Sequence, residues 1–285
     1  MELGLHVANF TWSGGPRALR DTLARTVRDA EAAGIARITV MDHLWQIPGV
    51  GRPENEMLEA YTTLGFIAAH TERVLLHTLV SAVVYREPGL LAKQIVTLDA
   101  LSGGRAGLGI GAAWFEEEAQ GLGLPFPPVG ERFERLEETL RICLAMWGAD
   151  EEPFEGAHYT LGRTLSSPRP LRTPRPYLLL GGGGERKTLR YVAQYADACN
   201  LFGGPETPHK FDVLRRHCDE VGRDFDDIEK TTTLAVAPGT GRDDLLHQLK
   251  ERRDLGFTTA YVAGGGEPDA LVDLLASVVQ DVAED

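Results

Sequence analysis

The sequence predicts a (β/α)8 barrel. Three observations carry that prediction. Short apolar or β-branched runs alternate with longer amphipathic segments along the 285 residues, each kind occurs eight times, and most of the short runs are apolar on successive residues. Strands buried on both faces read in that way, and parallel strands joined through right-handed helical crossovers bury both faces. Eight such units close into a barrel, which commonly takes about 250 residues, so residues 1–285 are expected to form one domain. A doubly wound open sheet is the competing arrangement.

The strands are expected, in order, at 3–7, 37–41, 74–79, 105–110, 177–180, 198–201, 231–237 and 259–262. The first is Leu3-Gly-Leu-His-Val7, the second Arg37-Ile-Thr-Val-Met41 and the third Val74-Leu-Leu-His-Thr-Leu79. The fourth, 105–110, alternates glycine with apolar residues; Tyr177-Leu-Leu-Leu180, Ala198-Cys-Asn-Leu201, the Thr-rich 231–237 and Thr259-Ala-Tyr-Val262 complete the set. Helices are expected between and after them, at 19–33, 57–71, 89–101, 131–147, 186–195, 208–221, 242–255 and 268–282. The fourth helix shows the pattern: Phe133, Leu136, Leu140, Cys143 and Trp147 recur at three- and four-residue steps and leave Glu134, Glu137, Glu138 and Arg141 facing outward. Residues 149–175 break the alternation with a hairpin at 154–160 and a run of prolines, and carry Arg163, Arg169, Arg172 and Arg175 with no acid between them.

Composition narrows the function. With 29 Lys plus Arg against 42 Asp plus Glu, the net charge is -13, which argues against nucleic-acid or anionic-membrane partners. Cys143, Cys199 and Cys218 lie in no C-x-x-C pair and near no histidine at ligand spacing, so neither a disulfide framework nor a metal site is expected. No signal-like start and no apolar run of about 18 residues appears, and a cytoplasmic protein is expected.

In such a barrel the chemistry sits at the carboxyl ends of the strands. There the strongest signal is Leu180-Gly-Gly-Gly-Gly-Glu-Arg-Lys187, a glycine turn that opens a helix and places Arg186 and Lys187 beside bare backbone N–H groups, as a phosphate cradle requires. Gly264-Gly-Gly-Glu-Pro-Asp269 is a second, more acidic candidate. Asp42-His43 follows the second strand. A metal-dependent hydrolase lacks the further His and Asp ligands it needs, a Schiff-base aldolase lacks a lysine at a strand's carboxyl end, and an acyl-transfer elbow is absent. The glycines of Gly107-Leu-Gly-Ile-Gly111 begin inside a strand and do not make a dinucleotide fingerprint. What remains is a mouth with one histidine and several aromatics (Phe10, Trp12, Trp45, Trp114, Phe115), suited to a planar phosphorylated cofactor that carries the chemistry itself.

The run from Thr78 to Trp114, the run from Gly181 to Asn200, the opening Asn9-Phe-Thr-Trp-Ser-Gly-Gly-Pro16 and Val40-Met-Asp-His-Leu-Trp-Gln-Ile-Pro-Gly49 resemble the luciferase-like monooxygenase superfamily, in its coenzyme F420-dependent oxidoreductase branch. The resemblance covers most of residues 3–265. It implies a TIM barrel, a homodimer, and a deazaflavin at the barrel mouth with its phosphate on Gly182, Gly183 and Gly184, with Arg186 as a helper. It puts Asp42 and His43 beside the deazaflavin ring as catalytic residues, and Thr78 and Leu79 where relatives hold a non-prolyl cis peptide against the ring. Trp114, also assigned to the cofactor, stands where relatives that oxidise a sugar phosphate carry a carboxylate, which argues against that substrate. The activity implied is hydride transfer between coenzyme F420 and a small organic substrate. The alternatives are an FMN-dependent monooxygenase using reduced flavin and oxygen, and a cofactor-binding barrel without turnover. The four arginines of residues 163–175 are the expected path for the coenzyme's glutamate tail.

Overall fold

The computed structural model describes residues 1–284. They run as β1 (Glu2–Val7), α1 (Leu19–Ala32), β2 (Arg37–Val40), α2 (Ala60–Ala68), β3 (Leu75–Thr78), β4 (Ser81–Ala82), α3 (Pro88–Ser102), β5 (Gly107–Gly111), α4 (Glu116–Gly121), α5 (Val129–Trp147), β6 (Phe154–Glu155), β7 (Thr160–Leu161), β8 (Tyr177–Gly181), α6 (Thr188–Tyr195), β9 (Ala198–Leu201), α7 (Thr207–Val221), β10 (Glu229–Val236), α8 (Arg242–Asp254), β11 (Thr259–Gly264), α9 (Pro268–Ala276) and α10 (Val279–Glu284). Nine parallel strands follow the order β3-β2-β1-β11-β10-β9-β8-β5-β4. The ring closes where Leu76 of β3 bridges Ala106, its N–H donating to the Arg105 carbonyl at 2.8 Å. β3 and β4 are the two halves of one broken stave, so the eight expected units are present and the open-sheet alternative is not.

Local chemistry sets the element ends. Pro88 starts α3, where its missing N–H is not needed, and Gly103 ends it at φ 73°, a left-handed conformation that glycine adopts without cost. Glu59 caps α2 by accepting from the Thr62 N–H at 2.7 Å, so that helix starts later than its apolar pattern suggested. The last expected helix breaks at Ser277 into α9 and α10.

The glycines of β5 serve packing. A Cβ on Gly109 would lie 2.0 Å from the Thr78 carbonyl oxygen, and one on Gly181 would lie 2.9 Å from a Val80 methyl. The backbone around Val80 therefore presses on two neighbouring staves at positions that only glycine leaves open. The peptide between Leu79 and Val80 is cis, so the special bond follows Leu79 and the residue it turns inward is Val80.

Two expectations are corrected. Glu138 does not face outward: it is buried and accepts from the N–H groups of Ala157, His158 and Tyr159, anchoring the β6–β7 hairpin. The arginine stretch does not lead to the mouth either. It descends along α3, where the Lys93 ammonium donates to the Ser167 carbonyl and Asp99 accepts from Arg172 N–H, to the amino end of β8. Arg163 and Arg169 share Glu151, and Arg175 clamps Asp197 at 2.6 and 2.9 Å. Arg172 and Arg175 thus lie at the end of the barrel opposite the expected site, and three of the four charges are already paired.

The amino end is closed by a polar plug. Arg37 donates to Glu229 at 2.9 Å and to the hydroxyls of Tyr177 and Tyr261 at 3.0 and 3.3 Å; the Tyr261 hydroxyl also meets His77 Nε2 at 2.9 Å. Above it His6 Nδ1 meets Thr39 Oγ1 at 2.9 Å. Burial holds both imidazoles neutral, lowering His6 from 6.5 to about 4 and His77 to about 3. The folded state therefore refuses protons that the unfolded chain takes up below pH 6.5. Their stabilisation is complete above that pH and declines as pH falls. Urea midpoints should drop between pH 6.5 and 4.5, above the carboxylate range; a flat midpoint across that window would contradict the assignment.

Candidate active site

Asp42 and His43 leave β2 at the carboxyl end of the barrel, and the two side chains part. Asp42 is 1% exposed, and both its oxygens accept from Arg86, at 2.5 and 3.0 Å. Arg86, from the turn after β4, also donates to Glu59 at 2.6 Å and stacks over the Tyr61 ring at 4.6 Å. A carboxylate held this way braces the loop and is badly placed to exchange protons with a ligand. The structure thus places Asp42, expected as a catalytic residue, in an ion pair with Arg86.

His43 is 8% exposed, and its Nδ1 lies 2.8 Å from Glu118 Oε2. Its Nε2 has no partner among the described residues. Trp114 and Phe115 meet the imidazole edge-on at 5.6 and 6.0 Å and stack on each other at 5.1 Å. Phe115 is buried, whereas Trp114 is 60% exposed, an aromatic face offered to whatever enters the mouth. Trp114 thus stands in the turn after β5 as expected, but the same connection also delivers a carboxylate, from Glu118 four residues later.

Sequence reasoning missed Glu118 because Glu116-Glu117-Glu118 reads as a solvated charge run. The available signal was spacing: on a helix, Glu118 falls three residues after Phe115 and beside Ala119, on the face that turns inward. Arg86 and Tyr85 were missed because the third stave resumes as β4, so its carboxyl end lies beyond the expected strand. Thr78 is buried in the barrel wall, donating to the Gly109 carbonyl at 2.8 Å and accepting from Ser81 at 3.1 Å, and Leu79 is buried beside it.

The glycine loop follows β8. Gly182 has φ 113°, and the N–H groups of Gly183 and Gly184 donate to no backbone oxygen among the described residues. A Cβ on Gly184 would fall 2.9 Å from Thr188 Oγ1, at the first residue of α6. Free N–H groups, no side chains and a helix start are what a phosphate needs, so the loop fits the phosphate of a flavin or deazaflavin. Arg186 is exposed beside it. A further cation was not foreseen: Lys210 of α7 approaches within 3.9 Å of where a Gly183 Cβ would be, and pairs with Glu185 at 2.6 Å. In the rival loop after β11 the two carboxylates are paired, Glu267 accepting from Ser13 N–H at 2.8 Å and Asp269 meeting Arg25 at 3.0 Å. Val80, packed against Gly181 and Gly111, joins the glycine loop to the broken stave, so loop and His43 share one mouth.

The residue pattern that defines the luciferase-like monooxygenases matches residues 1–273. The chain belongs to this family. Among luciferase-like relatives, an F420-dependent glucose-6-phosphate dehydrogenase of Nakamurella multipartita is 28% identical over 261 residues, covering 89% of this chain and 73% of that protein. Of solved structures, an F420-dependent secondary alcohol dehydrogenase in complex with an F420-acetone adduct superposes with a TM-score of 0.85 at 16% identity, covering 99% of this chain and 98% of the other. EDTA monooxygenase from Chelativorans sp. BNC1 superposes with a TM-score of 0.84 at 15% identity, over 100% and 93%. At those identities the structures speak to the luciferase-like barrel alone. No helix among the described residues is long and apolar enough to cross a membrane.

Proposed function

We propose that this luciferase-like protein is a coenzyme F420-dependent oxidoreductase acting on a small organic substrate. One observation carries the reading: a glycine loop with unspent N–H groups shares the mouth with a single histidine that has one nitrogen anchored and the other free. The F420-dependent relative that matches 89% of the chain supports the choice of cofactor. Gly182, Gly183 and Gly184 would hold the phosphate, with Arg186 and Lys210 as cations beside it, while Val80, Leu79 and Trp114 shape the space for the ring. When bound, the deazaflavin supplies a carbon that takes up or gives back a hydride. His43 Nε2 would take the substrate's proton on oxidation, or return it on reduction, with Trp114 and Phe115 packed edge-on against the imidazole.

A second reading, an FMN-dependent monooxygenase, is favoured by the family itself, whose description is that of luciferase-like monooxygenases. Absorbance separates the two. Oxidised coenzyme F420 mixed with the protein and a panel of alcohols without oxygen should lose its violet absorbance, and the reduced coenzyme should regain it with a panel of activated alkenes. Turnover seen only with reduced flavin mononucleotide and oxygen would select the second reading. Binding without turnover in either assay would point to a non-catalytic barrel.

A further inference from the structure

Glu118 is 0% exposed, and a carboxylate so buried is stable as an anion only when its oxygens are fully used. They are. Oε2 meets His43 Nδ1 at 2.8 Å and accepts from the Tyr85 hydroxyl, while Oε1 accepts from the Trp45 N–H at 2.7 Å and from the Leu44 N–H. Burial alone would raise its pKa, but the hydrogen bonds from His43, Tyr85 and the two N–H groups outweigh it and leave the carboxyl below its ordinary value. Tyr85 is pushed up, by burial and by the carboxylate it faces, so its hydroxyl keeps its proton and remains a donor. An ionised carboxylate only accepts, so the imidazole nitrogen it faces must carry the hydrogen.

We infer that Glu118 is the positioning residue of this site: it fixes His43 as the Nδ1–H tautomer, leaving the Nε2 lone pair as the proton acceptor at the mouth. Free histidine prefers the opposite tautomer, so the preference has to be imposed, and the arrangement follows the logic of carboxylate-oriented histidines elsewhere. The same carboxylate holds the backbone of residues 44 and 45, which fixes the ring against Trp114 and Phe115. α4, which brings Glu118, is itself locked: a Cβ on Gly121 would lie 2.2 Å from the Trp45 ring, so glycine lets the helix close on the loop it orients. Three connections, after β2, β4 and β5, thus converge on one carboxylate.

The catalytic consequence rests on the reading of His43 given above; the tautomer does not, and the test keeps them apart. In protein labelled with 15N-histidine, with the His43 signals assigned by their loss in His43→Ala, neutral His43 should show a protonated Nδ1 and a bare Nε2. Glu118→Gln, which keeps the volume and removes the charge, should shift the ring toward the Nε2–H form. It should also lower kcat by about 10- to 100-fold, with KM and cofactor affinity within about twofold. Because the amide oxygen introduced by Glu118→Gln can still accept from the Leu44 and Trp45 N–H groups, the rate loss should come through His43, and the double variant Glu118→Gln/His43→Ala should be no slower than His43→Ala. A wild-type His43 protonated at Nε2, or losses that multiply in the double variant, would overturn the inference. The wild-type spectrum needs no variant, so the inference is tested even where Glu118→Gln does not fold. An Nδ1–H His43 in a protein that turns over no deazaflavin would support the positioning role and overturn only the proposed reaction.

Discussion

Gly183→Asp should abolish cofactor binding in a protein that still folds. A Cβ at Gly183 meets only Leu201 and Lys210, at 3.7 and 3.9 Å, which is ordinary contact, and this glycine is not among those with positive φ. The barrel therefore accepts a side chain there. The ligand does not, because the carboxylate would occupy the place of the phosphate and draw the Lys210 ammonium to itself. Two like charges about 4 Å apart in a partly desolvated site repel by roughly 4 kcal/mol, which corresponds to a loss of about a thousandfold in affinity. Cofactor titration beside a thermal melt checks this, with Gly183→Ala as the uncharged control. Unchanged affinity in a folded Gly183→Asp protein would remove the phosphate from this loop.

His43→Ala should lower turnover by about 10²- to 10⁴-fold, the usual worth of general acid-base assistance, while cofactor affinity stays within about tenfold. The separation follows from the architecture: the phosphate loop follows β8, and the imidazole follows β2. Glu118 would lose one donor and keep Tyr85 and two backbone N–H groups, so the loop should hold its shape. His43→Asn discriminates between roles. If the ring transfers a proton, the amide should not restore turnover; if it only orients the cofactor, the amide should restore much of both binding and turnover. Wild-type rates in His43→Ala would leave solvent as the proton source, since both oxygens of Asp42 are taken by Arg86.

The barrel was legible because its signals are local. Apolar runs such as Tyr177-Leu-Leu-Leu180, and glycines or prolines at helix ends such as Pro88 and Gly103, act over a few residues and need no partner elsewhere. The glycine loop and Asp42-His43 were legible for the same reason, since a strand's carboxyl end fixes where the next residue points. What was not legible depends on pairing across the chain. Nothing near Asp42 says that Arg86, 44 residues on, takes both of its oxygens, or that Glu118 reaches His43 across 75 residues. The arginines of residues 163–175 misled because charge without its partners reads as a free patch; Glu151 and Asp197 supply those partners only in the fold. The glycines of β5 are excluded as a dinucleotide motif by their place inside a strand, but what they are for shows only in the fold, where the Thr78 carbonyl and Val80 press against them.

Parallel titration of the purified protein with oxidised coenzyme F420 and with flavin mononucleotide tests the central claim most directly. Both cofactors carry a phosphate for the glycine loop, so the difference in affinity isolates the choice of ring and tail. The deazaflavin should bind at least about tenfold more tightly, roughly 1.4 kcal/mol, and Gly183→Asp should remove its binding. Equal affinities, or tighter binding of flavin mononucleotide, would contradict the account.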